Sequence, residues 1–255
     1  MLPDLFTEAV GRAAPSWRPW LLRGLEAMSA AEATYLPSLA EDAFLPTQGR
    51  LFAAFAQPLE AVRYVLVGEG PYPREESATG VCFMDGAVRE LWSAKGLSKP
   101  VNRATSLRNF IKMLMVADGL LSPEQTTGEV VASVALDAMR PDSDFIQTLP
   151  DLQAKLQAEG FLLLNAALVF RPHMPPAKEA KAWRPCLDVV LQALASRPAQ
   201  APTLILWGKI AQWLEGLPAL SSFPTLAAEH PYNLSFIRNP AMHRLFGPMR
   251  LLKVN

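Results

Sequence analysis

Residues Tyr64–Pro73 read YVLVGEGPYP. Four apolar residues run straight into a turn built from two glycines and two prolines. The run is too short for a helix and reads as a buried parallel strand that ends in a polar loop. Three further segments repeat the pattern. Phe161–Leu164 stops at Asn165, Thr203–Trp207 stops at Gly208, and Thr225–Ala228 stops at Glu229 and His230. Between them lie helical patterns at Ser106–Ala117, with Thr105 as the expected N-cap, and at Ala180–Ala195, where Trp183, Leu187, Val190, Leu191 and Leu194 recur at helical spacing. Ile210–Leu217 and Ala241–Leu252 add two more. The N-terminal third predicts helices around Trp17–Met28 and Arg50–Phe55, and Leu121–Pro150 reads as a long loop with short helices. Strands alternating with helices predict a three-layer α/β/α sandwich around a four-stranded, mainly parallel sheet, in a single domain over residues 1–255. Such folds keep their chemistry at the carboxyl ends of the strands. That rule delivers Glu69-Gly70-Pro71-Tyr72, Asn165, Trp207-Gly208 and His230 to one edge.

Composition narrows the function. Half of the 255 residues are hydrophobic, enough for a sizeable core. No apolar run approaches the roughly 20 residues of a membrane helix, and the start MLPDLFTEAV lacks the basic-then-apolar order of a signal peptide. Two cysteines, Cys82 and Cys186, read as reduced thiols of a cytoplasmic protein and are too few for an iron–sulfur cluster. Three histidines without ligand-like spacing predict no metal. Net charge is zero, yet the charges are segregated. Leu91–Val116 holds Lys95, Lys99, Arg103, Arg108 and Lys112 and no acid; Pro231–Asn255 holds Arg238, Arg244, Arg250 and Lys253 and no acid. Either a basic face for phosphates or chance clustering on solvated helices produces this pattern.

The strand ends carry a resemblance. Gly68-Glu69-Gly70-Pro71-Tyr72-Pro73, with its lead-in QPLEAVRYVLV, resembles the water-activating loop GQDPYH of the uracil-DNA glycosylases. Gly80-Val81-Cys82-Phe83 is similar to the family's Gly-x-x-Phe, Leu162-Leu163-Leu164-Asn165 to its LLLN strand, and His230-Pro231-Tyr232-Asn233-Leu234-Ser235 to its His-Pro-Ser-Pro-Leu-Ser loop. Leu206-Trp207-Gly208 and the Trp183–Leu191 helix fit as well. The motifs stand in order from about Trp17 to about Leu251, and the likeness is greatest to the uracil-excising branch that carries GQDPYH.

The resemblance implies roles for particular residues. Phe83 would stack on a flipped uracil, Asn165 would read its edge, and Tyr72 would crowd out a 5-methyl group. His230 would donate to the uracil carbonyl oxygen as the base leaves. Leu234 would wedge into the base stack, and Ser106 and Ser235 would contact phosphates. These types suit base excision on their own terms: the base must be extruded and held by stacking and edge hydrogen bonds, and a donor at the developing anion is the largest catalytic contribution in many enzymes. Taken singly, Phe83 also reads as core, Asn165 as a turn residue, and His230 as a loop histidine.

One position departs from the family. Gly70 stands where the family's loop has the aspartate that positions water, Glu69 replaces its glutamine, and Pro73 its histidine. The sequence leaves three readings open. The enzyme works through His230 with a backbone-held water; Glu69 or Asp85 substitutes for the missing carboxylate; or catalysis is lost and DNA binding retained. GEGP resembles the GEAP of another branch, but that branch carries an iron–sulfur cluster. The expected function is hydrolysis of the N-glycosidic bond of uracil in single- or double-stranded DNA by a cofactor-free monomer. A nucleotide-binding enzyme of similar architecture is the remaining alternative, and no GxGxxG or GKS/T loop supports it.

Overall fold

Tyr64–Gly68 forms the strand its sequence predicts, and all four expected strands are present in the structure, a computed structural model describing residues 2–198 and 200–254. In chain order the helices are α1 (Asp4–Gly11), α2 (Arg18–Ala31), α3 (Tyr35–Ala40), α4 (Lys99–Arg103), α5 (Thr105–Ala117), α6 (Gly128–Ala138), α7 (Leu149–Ala158), α8 (Pro176–Ala195), α9 (Ile210–Leu214) and α10 (Pro240–Phe246). The strands are β1 (Tyr64–Gly68), β2 (Trp92–Ser93), β3 (Gly96–Leu97), β4 (Phe161–Asn165), β5 (Thr203–Trp207) and β6 (Thr225–Ala228). The main sheet has the order β4-β1-β5-β6, and β1 runs parallel to both neighbours, with Gly68 opposite Asn165 and Val67 opposite Leu206. The fold is a three-layer α/β/α sandwich. Every residue of β4 is buried, as are Val65, Leu66 and Val67 of β1. That is why these strands read as continuous apolar runs rather than alternating ones.

The chain divides into two compact units, Met1–Gly86 with Gly160–Leu226, and Ala87–Glu159 with Ala227–Asn255. In the first, α2 packs on α8. The segment after β4 is tied down by a buried polar cluster: Arg171 pairs with Glu179 at 2.6 Å and with Asp42 at 3.2 Å, and Tyr35 donates to Glu179 at 2.5 Å. Arg171 and Glu179 are almost wholly buried, so each charge depends on the other for solvation. In the second unit the β2–β3 hairpin packs on α6, and α5 packs against α10 and the 3₁₀ turn Leu234–Arg238. Phe110 and Phe246 meet edge to face at 5.2 Å there.

Several local expectations are corrected. Thr105 is the first residue of α5 rather than its cap; Ala104 precedes it, without a capping side chain. Arg50–Phe55 yields only the 3₁₀ turn Ala53–Phe55, and the chain enters it from Gln48 and Gly49, both at positive φ, a turn conformation rather than a helical one. The 121–150 stretch contains the three-turn helix α6, and α7 opens at its end with a capping box between Thr148 and Asp151. The helix from Ile210 stops at Leu214, before Gly216, which has positive φ. The helix from Pro240 stops at Phe246 and tightens into the 3₁₀ turn Gly247–Met249, since Pro248 cannot supply an amide to the ladder. Trp183 and Trp207 are buried, as expected of core residues. Among the described residues no helix is long and apolar enough to cross a membrane.

Candidate active site

The first unit gathers Glu69, Gly70, Tyr72, Phe83 and Asn165. Beyond the last ladder pair, β1 and β4 stay zipped: Ala166 N–H donates to the Gly68 carbonyl at 2.8 Å, and Ala167 N–H to that of Glu69 at 3.0 Å. The Glu69-Gly70 turn is therefore held by the segment that follows Asn165. Asn165 is 3% exposed, and its amide has no hydrogen-bond partner among the described residues. A buried amide left open in this way is rare unless a ligand or water completes it.

Phe83 is placed by its neighbour. Cys82 N–H donates to the Leu163 carbonyl at 3.1 Å, and the Cys82 thiol donates to that of Leu66 at 3.4 Å, which glues residue 82 to β4 and β1. Phe83 itself has φ 67°, a left-handed conformation seldom taken by bulky residues. Its half-buried ring packs edge-on against Trp207, 5.3 Å between centroids. The glycine that opens this motif is obligatory: Gly80 has φ 80°, and a Cβ there would collide with the Arg50 carbonyl.

The Tyr72 phenol stays neutral across the physiological range. Burial raises its pKa first, and the neighbouring Asp85 and Cys82 add to the effect. Asp85 is buried and pairs with the exposed Arg74 at 3.6 Å. The Glu69 side chain is exposed and caps no backbone amide among the described residues; only its carbonyl is engaged. Burial pushes the Cys186 thiol up to about 12 and the Cys82 thiol higher still, so both cysteines, free and buried, are unreactive.

The second unit holds Ser106, His230, Leu234 and Ser235. Exposed His230 accepts a 3.1 Å hydrogen bond at Nδ1 from the Tyr232 amide. An accepting Nδ1 places the proton of the neutral ring on Nε2, which is thereby a donor. The loop is clamped from beneath by a residue that sequence reasoning missed. Asn109 of α5 is fully buried and donates from Nδ2 to the carbonyls of Pro231 at 2.8 Å and Tyr232 at 3.3 Å. A lone amide on the apolar face of α5, beside Leu107, Phe110 and Ile111, was the available signal. Leu234 projects into solvent, 70% exposed. The Ser235 hydroxyl is engaged with Glu229. Burial alone would raise the Glu229 carboxyl, but hydrogen bonds from its own backbone, Asn239 and Ser235 hold it below its usual range. Ser106 is half-buried in the first turn of α5.

The basic runs are only partly free. Lys112 donates to the Thr126 carbonyl at 2.7 Å, and Lys253 pairs with Asp144 at 2.6 Å while lying 3.4 Å over the Phe145 ring. Lys95, Lys99, Arg103, Arg238, Arg244 and Arg250 remain exposed.

The chain is 30% identical over 203 residues to the uracil-DNA glycosylase of Corynebacterium glutamicum, covering 78% of this chain and 74% of that protein. The chain belongs to the uracil-DNA glycosylase family. A second uracil-DNA glycosylase, from Thermobifida fusca, is 28% identical over 83% of this chain and 74% of its own. Among solved structures, the wild-type UNG of Nitratifractor salsuginis superimposes with a TM-score of 0.87 at 39% identity, covering 98% of this chain and 96% of that one. A mimivirus UNG, solved as a Y322L variant with UGI, matches with a TM-score of 0.56 at 14% identity and shares the fold. No protein-family model matches the chain.

Proposed function

We propose that the protein is a DNA base-excision repair glycosylase that hydrolyses the N-glycosidic bond of uracil in DNA. The observation that carries this reading is Asn165, a buried amide without a protein partner, in a unit that also presents Phe83 from a left-handed backbone. An amide offers a donor and an acceptor side by side, which match the edge of uracil, and an aromatic ring holds the flipped base by stacking. Tyr72, kept neutral, excludes a 5-methyl group. His230 donates from Nε2 to the carbonyl oxygen on which charge develops as the bond between base and sugar breaks. Water adds to the sugar carbon, its proton goes to solvent, and uracil leaves as the anion. Removing one such donor typically lowers the rate by about 10²–10³.

The substrate is uracil-containing DNA, single- or double-stranded, and the enzyme acts as a cytoplasmic monomer without a cofactor. Leu234 fills the gap left by the base, and Ser106 and Ser235 contact phosphates, with Ser235 exchanging or sharing its bond to Glu229. The exposed arginines and lysines of the second unit supply the charge that draws DNA phosphates, so affinity falls steeply with salt. The match to the Nitratifractor salsuginis protein runs across both units, which supports treating residues 1–255 as one glycosylase domain.

A second reading is favoured by Gly70. The turn lacks a carboxylate at that position, and Asp85 is occupied by Arg74. On that reading the chain binds DNA without excising a base. Release of uracil from a single-stranded oligonucleotide, followed by alkaline cleavage, decides between them. Single strands remove the unpairing penalty, and His230→Ala protein purified in parallel controls for contaminating enzyme. Cleavage by wild type alone establishes the glycosylase. Absence of cleavage with salt-sensitive binding intact establishes the silent binder.

A further inference from the structure

Leu234 and Tyr232 are the two most exposed large apolar side chains among the described residues, at 70% and 68%. Scattered exposed apolar residues are ordinary. These two stand two positions apart on one loop, and the loop's backbone is fixed. His230–Asn233 is a β-turn: Asn233 N–H donates to the His230 carbonyl at 2.9 Å, with Pro231 in the second position. Tyr232 sits third, and both of its peptide groups are engaged. Its N–H is donated to His230 Nδ1, and its carbonyl accepts from buried Asn109. The main chain is pinned while the phenol ring stands in solvent.

We propose that Tyr232 is a second base-stacking residue, whose ring takes a nucleobase adjacent to the uracil-bearing nucleotide in single strands as well as in duplexes. The inference rests on the reading that this loop meets DNA. A leucine wedge matters where a duplex stack has been opened. An aromatic ring stacks on any exposed base face, with little dependence on sequence or pairing. A pinned backbone reduces the ordering that binding requires. Arg238, which ends the 3₁₀ turn beginning at Leu234, and Arg244 of α10 place exposed positive charge on the same stretch. Stacking on the ring also bears on chemistry, because the peptide N–H of Tyr232 orients the imidazole of His230.

The test uses the full chain and oligonucleotides carrying 2-aminopurine beside a tetrahydrofuran abasic analogue, single-stranded and duplex, with uracil release measured in parallel. Tyr232→Ala is expected to weaken single-strand binding roughly five- to a hundred-fold and to abolish the protein-induced change in 2-aminopurine fluorescence. Tyr232→Phe retains both, and Leu234→Ala loses duplex binding more than single-strand binding. Wild-type binding and fluorescence in Tyr232→Ala overturn the proposal, as does a wild-type protein that binds neither probe. The two readings separate cleanly. A wild type that releases no uracil but gives a Tyr232-dependent signal upholds stacking and removes the glycosylase. Uracil release with Tyr232→Ala indistinguishable from wild type keeps the glycosylase and removes stacking.

Discussion

The side chain of Asn165 packs tightly over Gly68: a Cβ on Gly68 would lie 3.0 Å from Asn165 Oδ1 and 3.0 Å from Cys82 Cβ, so one of these neighbours would have to shift to admit it. Gly68 and Asn165 are paired residues at the ends of β1 and β4, so the strand register itself seats the amide. Gly68→Ala is expected to push the amide aside and reduce uracil excision tenfold or more, with a stability loss of about 1–3 kcal/mol from overpacking. Steady-state kinetics and thermal unfolding check both. Asn165→Ala should abolish excision while the protein remains folded; an unchanged rate would remove Asn165 from the site.

Gly70 differs from Gly68 in having space. A Cβ there would meet nothing closer than the Ala167 carbonyl at 3.6 Å, an ordinary contact. Gly70→Asp is therefore expected to fold normally and to raise excision about tenfold or more by supplying a carboxylate to orient water, with Gly70→Ala as the steric control. Equal rates for Gly70→Asp and wild type would mean that the natural chain positions its water by other groups.

Asn109→Ala removes the donor that holds the carbonyls of Pro231 and Tyr232. An acceptor left unsatisfied in a buried place is worth about 1–3 kcal/mol. The expected outcome is a lower kcat on single-stranded and duplex substrates alike, because His230 loses its orientation. Inhibition by free uracil, assigned to Phe83 and Asn165 in the proposed function, is expected to stay unchanged. Weakened uracil inhibition in Asn109→Ala would point to general unfolding instead.

Asp118 follows the last residue of α5, and neither of its carboxylate oxygens has a hydrogen-bond partner among the described residues. Burial pushes its pKa from 3.8 to about 6, against the pull of Arg250 and Lys253. The folded state therefore binds more protons than the unfolded one between these values, so this group's contribution to stability falls as pH rises from about 4 through 6. Asp118→Asn is expected to flatten the decline in Tm over that window and to raise Tm at pH 7. Identical slopes for variant and wild type would assign the pH dependence elsewhere.

The apolar runs at Tyr64, Phe161 and Thr203 were sufficient by themselves to determine β1, β4 and β5, since a parallel strand covered on both faces leaves an unbroken hydrophobic signature. The run at Thr225 also forms a strand, β6, at the sheet edge, where its residues alternate between exposed and half-buried. Turn residues after each run were sufficient to place Glu69, Asn165 and His230 among the candidates, and the family resemblance added Phe83. Local sequence also carried the long helix α8, whose apolar residues keep a regular period. It failed at helix ends, where Gly216 and Pro248 act through backbone geometry rather than hydrophobicity. The tertiary structure alone decided three things. It left the Asn165 amide unpartnered while burying it, because Gly68 yields the space. It fixed the tautomer of His230 through the Tyr232 amide. It drew Asn109 from α5, more than 120 residues earlier in the chain, to clamp the histidine loop. Each depends on contacts between groups far apart in sequence, and a pattern of neighbouring residue types does not encode which distant partner completes a hydrogen bond.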